Sequence, residues 1–160
     1  MSKTLVAYFS CTGNTEKLAK TIAKIVNGDL YRITPEQEYT KEDLDWTNKS
    51  SRSSVEMADK NSRPKIKGKC ENLDKYDKIY LGFPIWWYIA PTIINTFLES
   101  ADFSGKFIIP FATSGGSSMG DSDTNLLKSL NGKGKLIHGK VLNSKTEEEV
   151  KKWVEGLKFE

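Results

Sequence analysis

The chain has 160 residues, 38% hydrophobic and 28% charged, which suits one globular domain with a single well-buried core. Its net charge of +3 comes from scattered lysines joined to no recognisable reading module, which argues against nucleic-acid binding, and no run of roughly 18 apolar residues offers a transmembrane helix. Two cysteines, Cys11 and Cys70, and one histidine, His138, are too few for a disulfide framework or a His/Cys metal site.

Met1-Ser2-Lys3-Thr4 passes straight into a strand without a signal-peptide layout, so the expected compartment is the cytoplasm. The strand, Thr4 to Phe9, breaks into Ser10-Cys11-Thr12-Gly13-Asn14-Thr15. Leu18, Ala19, Ile22, Ala23, Ile25 and Val26 then recur at helical spacing, which predicts a helix from Gly13 to Val26 with Asn27-Gly28 as its stop. The first amides of such a helix lack backbone acceptors and carry the positive end of its dipole. With the hydroxyls of Ser10, Thr12 and Thr15 around them, and Gly13 allowing close approach, they form a phosphate cradle. An ordinary helix N-cap would use Ser10 or Thr12 as well. The loop is neither a Walker A loop nor a dinucleotide fingerprint, since it lacks both Gly-Lys-Ser/Thr and Gly-x-Gly-x-x-Gly. A hydroxyl-rich loop without a cation suits one terminal phosphate monoester. Cys11 lies near a helix N-terminus, where thiols are activated, although packing also explains its position.

A short strand, Asp29 to Ile33, follows. The polar stretch from Glu36 to Lys69 is too long for a simple connection and carries its own structure or contributes to the site. It is read as holding a helix from near Thr40 to Asp59, although Ser50-Ser51-Arg52-Ser53-Ser54 makes a poor helix interior. The basic run Arg63 to Lys69 fits either an acidic partner or a solvated connection.

Lys78 to Phe83 is the next strand, and Pro84-Ile85-Trp86-Trp87-Tyr88 interrupts it before a helix that begins near Pro91. Adjacent side chains on extended backbone point opposite ways, so Trp86 and Trp87 are hard to bury together. One indole then stacks on a planar ring, or both cover the sheet end. Phe107 to Ala112 is a strand that breaks into Thr113-Ser114-Gly115-Gly116-Ser117-Ser118. That loop offers amides with little side-chain bulk, either for the edge of a heterocycle or as a plain turn. A helix over Asp123 to Leu130, a strand over Lys135 to Leu142, and a capping box of Thr146 with Glu149 opening the last helix complete the chain.

This alternation predicts a doubly wound α/β fold, a parallel sheet with helices on both faces and its ligand site at the carboxyl ends of the strands. A phosphorelay receiver would need acidic residues at the ends of strands one and three, where Phe9-Ser10 and Phe83-Pro84 stand.

Three loops, in this order, resemble those of the flavodoxin family: Ser10 to Thr15, Pro84-Ile85-Trp86-Trp87, and Thr113-Ser114-Gly115-Gly116-Ser117. The likeness runs from Thr4 to about Phe159 and is greatest to a short flavodoxin-like group with Pro-Ile-Trp-Trp and Ala-Thr-Ser-Gly-Gly-Ser loops. It implies a five-stranded sheet of order 2-1-3-4-5 and FMN as cofactor. By this resemblance Ser10, Cys11, Thr12, Gly13, Asn14 and Thr15 hold the phosphate, Pro84, Ile85, Trp86 and Trp87 line the ribityl chain and ring, and Thr113, Ser114, Gly115, Gly116 and Ser117 meet the ring edge. Trp86 is the stacking partner and Trp87 the alternative. No side chain acts as a nucleophile, because the flavin does the chemistry. The implied role is a monomeric electron carrier between redox partner proteins, a reductase and an acceptor. The alternative is an FMN-dependent NAD(P)H reductase of quinones or other small molecules. Two departures stand out: the third loop has glycine and serine where many flavodoxins place an aromatic, and the chain is net basic where typical flavodoxins are acidic.

Overall fold

The computed structural model describes residues 3–114, 118–143 and 145–159. In chain order the elements are β1 (Lys3–Tyr8), α1 (Asn14–Val26), β2 (Asp29–Arg32), α2 (Arg52–Ala58), β3 (Tyr76–Pro84), α3 (Thr92–Glu99), β4 (Phe107–Thr113), α4 (Ser122–Leu130), β5 (Lys135–Leu136), β6 (Lys140–Val141) and α5 (Glu147–Glu155). All strand pairings are parallel, in the order β2-β1-β3-β4-β5, with β6 also on β4.

Both faces of the sheet are covered at its centre, which is why β1, β3 and β4 carry long apolar runs. The period of two still sorts them. Leu5, Ala7, Phe9, Ile79, Leu81 and Phe83 share a core with Ile93, Ile94 and Leu98 of α3 and Leu126 of α4. Val6, Tyr8, Tyr80, Ile109 and Phe111 pack with Leu18 and Ile22 of α1 and Val150 of α5. The sheet order reverses between β1 and β3, so a crevice opens beyond their carboxyl ends.

Several boundaries differ from the sequence reading for local reasons. The helix expected from Thr40 to Asp59 is present only as α2. The serine run that makes a poor helix interior supplies its start, since the Ser51 hydroxyl accepts from the Ser54 N–H as N-cap. Ahead of it lie turns, one closed by Thr40 and Asp43, each side chain accepting from the other's backbone N–H. The strand expected from Lys135 to Leu142 is split, because the Gly139 N–H donates to the Asp123 carboxylate at 3.2 Å instead of joining a ladder. α1 stops at the expected Asn27-Gly28 pair, with Asn27 in the left-handed position at φ 53°. The basic run docks as a short ribbon: Pro35 and Ile66 bridge antiparallel, with Glu36 N–H bonded to Lys65 O and Lys67 N–H to Thr34 O. α5 opens with the expected Thr146–Glu149 capping box.

Candidate functional site

The three loops singled out in the sequence leave the carboxyl ends of β1, β3 and β4 and meet in the crevice. In the first, Ser10 is nearly buried, and its hydroxyl accepts from the Gly13 N–H at 3.1 Å. That bond closes the turn and carries Gly13 into the left-handed region at φ 92°, the conformation for which glycine is suited. Gly13 is the N-cap of α1 and has no side chain with which to cap it. The first helical amides therefore face outward beside the exposed Thr12 and Asn14. Thr15 is buried instead, with its hydroxyl 2.8 Å from that of Thr113. Ser10 and Thr15 thus hold the loop in shape while Thr12 and Asn14 stand exposed at its mouth. Cys11 is half-buried, and desolvation pushes its thiol up to about 12, so it is no activated nucleophile.

The second loop holds a feature the sequence did not reveal. Trp86 and Ile89 exchange both backbone hydrogen bonds, at 2.9 and 3.2 Å, around a two-residue turn in which Trp87 (φ 50°) and Tyr88 (φ 69°) are both left-handed. Such hairpin turns favour Asn-Gly, and aromatic residues there are strained. Gly120 (φ 56°) braces the turn from below: a Cβ on it would lie 2.2 Å from the Tyr88 carbonyl oxygen, which also accepts from the Asp121 N–H at 3.3 Å. The turn separates the two indoles. Trp86 is half-buried, edge-on to Phe9 (5.7 Å, 81°) and Tyr39 (5.4 Å, 74°), whereas Trp87 is 43% exposed.

Tyr39 shows what the long segment after β2 does. Its hydroxyl donates to Glu56 at 2.5 Å, and the Arg52 guanidinium lies 3.8 Å from its ring centroid while pairing with Glu56 at 3.0 Å. Burial and the Glu56 carboxylate together raise the Tyr39 pKa, keeping the phenol protonated as a donor. The segment thereby fixes one flank of Trp86.

The third loop is described as far as Ser114. Ile85 N–H donates to Thr113 O at 2.8 Å, tying it to the second. Asn143 clamps it from the far side: its side-chain oxygen accepts from Ser114 N–H at 2.7 Å, and its amide donates to Ser114 O. Gly115, Gly116 and Ser117 lie outside the described residues.

A cavity of about 580 Å³ runs from Thr12 and Asn14 past Pro84, Ile85 and Trp86 to Thr113 and Ser114. Lys17 and Lys145 also line it, so the cradle without a cation of its own gains two from outside the loop. Lys17, four residues after Gly13, was open to a helical-face argument, whereas Lys145 and Asn143 come from beyond β6 and carried no sequence signal. The donor set of helix amides, hydroxyl, carboxamide and ammonium groups at one end, and indole and apolar groups further along, fits a phosphate monoester joined to a ring system. Among the described residues, no group of three or more His, Cys, Asp or Glu forms a metal site, and no helix is long and apolar enough to cross a membrane.

Comparisons with known proteins bear on the family and the fold. A family model described as Flavodoxin matches residues 3–157. Among solved structures, a proposed flavoprotein from Bacteroides eggerthii is 49% identical with full coverage of both chains and a TM-score of 0.93. Another from Bacteroides uniformis is 52% identical over 96% of this chain and 98% of that one, TM-score 0.92. A Lactobacillus acidophilus flavoprotein solved with FMN has the same fold, with a TM-score of 0.71 at 22% identity over 96% and 99% of the two chains. A search of curated proteins finds no match.

Proposed function

This chain belongs to the flavodoxin family, and from that premise we propose that it binds FMN in the cavity between its three loops and carries electrons between redox partner proteins. The observation that carries this reading is the uncapped N-terminus of α1 opening into the same cavity as Trp86. The FMN held by the Lactobacillus acidophilus protein of the same fold supports the choice of cofactor. When bound, FMN supplies a ring system that accepts and releases electrons. Thr12, Asn14 and the first amides of α1 hold the phosphate, and Lys17 and Lys145 neutralise it. Ser10 and Thr15 keep the cradle in shape. Pro84 and Ile85 line the ribityl chain, Trp86 stacks on the ring, and Thr113 and Ser114 open the loop that meets its edge. The protein works as a cytoplasmic monomer.

Titration with FMN and with riboflavin, followed by flavin fluorescence, tests the assignment. FMN binds more tightly, and Thr12→Val closes much of that gap by removing one hydrogen bond to a charged acceptor, roughly 1.5–3 kcal/mol. Equal affinity for the two flavins overturns it. The uncharged aromatic cavity described next favours a second reading, an FMN-dependent NAD(P)H reductase of small molecules. Turnover of NADH or NADPH with a small acceptor and no partner protein identifies that activity.

A further inference from the structure

A second cavity, of about 610 Å³, adjoins the first and shares Thr12, Pro84, Ile85 and Trp86 with it. Its volume falls within the roughly 300–1,000 Å³ of small-molecule sites. Its chemistry is different. The first cavity is lined by Lys17 and Lys145, whereas no described residue lining the second is charged. Its outer wall is aromatic and apolar: Leu44 and Trp46 come from the turns before α2, and Trp87 and Tyr88 from the strained hairpin.

Three features mark this wall as more than loop covering. Trp46, Trp87 and Tyr88 are 74%, 43% and 70% exposed, so half of the six exposed large hydrophobic residues described in the chain converge on one cavity. The hairpin that presents two of them is held in a backbone conformation aromatic residues rarely adopt, and such strain collects at binding sites. Ser53 also lines the cavity, is 2% exposed, and carries a hydroxyl with no hydrogen-bond partner. A buried hydroxyl without a partner is costly unless something supplies one.

We propose that this cavity is a binding site for a flat, uncharged ring compound, held between Trp46 and the Trp87–Tyr88 hairpin and hydrogen-bonded through a carbonyl to Ser53. That the site faces a flavin rests on the function proposed above; the site itself does not. Aromatic walls suit stacking, the lack of charge selects against anions, and the neighbouring lysines draw anionic ligands into the first cavity instead. The turns before α2 thereby acquire a role, as one wall of a small-molecule pocket.

Coumarin, a neutral bicyclic compound with one carbonyl, is the probe, and naphthalene-2-sulfonate the charged control. Each is titrated into the full chain with and without saturating FMN while the indole N–H resonances of Trp46, Trp86, Trp87 and Trp153 are followed. Trp153 packs on Tyr80 under the opposite face and serves as the internal control. Coumarin shifts Trp46 and Trp87 saturably in both states and leaves Trp153 still, and the sulfonate binds the FMN-loaded protein far more weakly. Trp46→Ala, at an exposed position, weakens coumarin roughly fivefold, as expected for one lost aromatic contact, and leaves FMN affinity unchanged. Ser53→Ala weakens it without altering the fold. Competition between coumarin and FMN overturns the proposal, because the cavity is then part of the flavin site. Undiminished binding by Trp46→Ala, or no saturable shift at all, overturns it as well. Failure of the FMN reading is seen separately, as coumarin binding to a protein that takes no flavin.

Discussion

Gly120→Ala is expected to destabilise the protein by about 2–5 kcal/mol and to weaken FMN, and the structure supplies the control that separates the causes. Gly120 has φ 56°, so any L-residue there meets the left-handed penalty, roughly 1–2 kcal/mol. The new Cβ would also lie 2.2 Å from the Tyr88 carbonyl oxygen. Real Cβ atoms keep at least 3.0 Å, so the two must part by about 0.8 Å, and the oxygen belongs to backbone that cannot rotate aside. Moving it breaks the Asp121 N–H bond and drags the Trp86–Ile89 hairpin outward, an overpacking cost of roughly 1–3 kcal/mol. Gly132 has φ 79° with nothing within 4 Å of its Cβ position, so Gly132→Ala meets the backbone penalty alone. Urea denaturation of both variants at one pH, with FMN titration of each, gives the comparison. Gly120→Ala is less stable than Gly132→Ala by about 1–3 kcal/mol and binds FMN more weakly, while Gly132→Ala binds it as wild type. Equal losses in the two variants with unaltered flavin binding would show that Gly120 does not hold the hairpin.

Three further outcomes follow from the same geometry. Asn143→Ala frees Ser114 from its clamp and weakens FMN and riboflavin by the same amount, roughly 1 kcal/mol, because the loss is at the ring edge; a loss confined to FMN would place Asn143 at the phosphate. Trp86→Ala weakens flavin binding more than Trp87→Ala, by roughly 0.5–1.5 kcal/mol, and lowers the denaturation midpoint through its contacts with Phe9 and Tyr39; the opposite ranking in a flavin fluorescence titration would assign the ring to Trp87. With its thiol raised to about 12, Cys11 is almost wholly protonated at pH 8, so iodoacetamide labels it far more slowly than the same cysteine in urea, and the rate climbs as pH approaches 12; peptide mass spectrometry reads it, and fast labelling of the folded protein would contradict the desolvation.

The centre of the sheet was legible because burial on both faces leaves long apolar runs in β1, β3 and β4, and Val6 or Ile109 announces itself whatever its neighbours do. Local signals served equally well at α5, where both halves of the capping box stand three residues apart. The serines at 50–54 misled because the same residue that weakens a helix interior starts a helix well, and only the backbone decides which role Ser51 takes. The turn at Trp87-Tyr88 was beyond local reasoning: neither residue favours it, and Gly120, which leaves room for it, lies on a distant loop. The same limit hid Asn143 and Lys145, which reach the crevice only through tertiary packing, and the Tyr39–Glu56–Arg52 group behind Trp86. Residues in the three loops could be named in advance; those that hold the loops in place could not.

The margins of the sheet have a consequence for life at high concentration. A strand with one free side offers another chain a row of amides and carbonyls to pair with, and long straight margins seed aggregation. Here β2 is four residues long, its ends carry Asp29 and Arg32, and the chain beyond it is already bridged by Ile66. On the opposite margin β5 and β6 are two residues each, parted where Asp123 takes the Gly139 amide. A second molecule approaching either side meets a template too short to extend, so the break that mars the last strand also guards the fold against growing into a fibre.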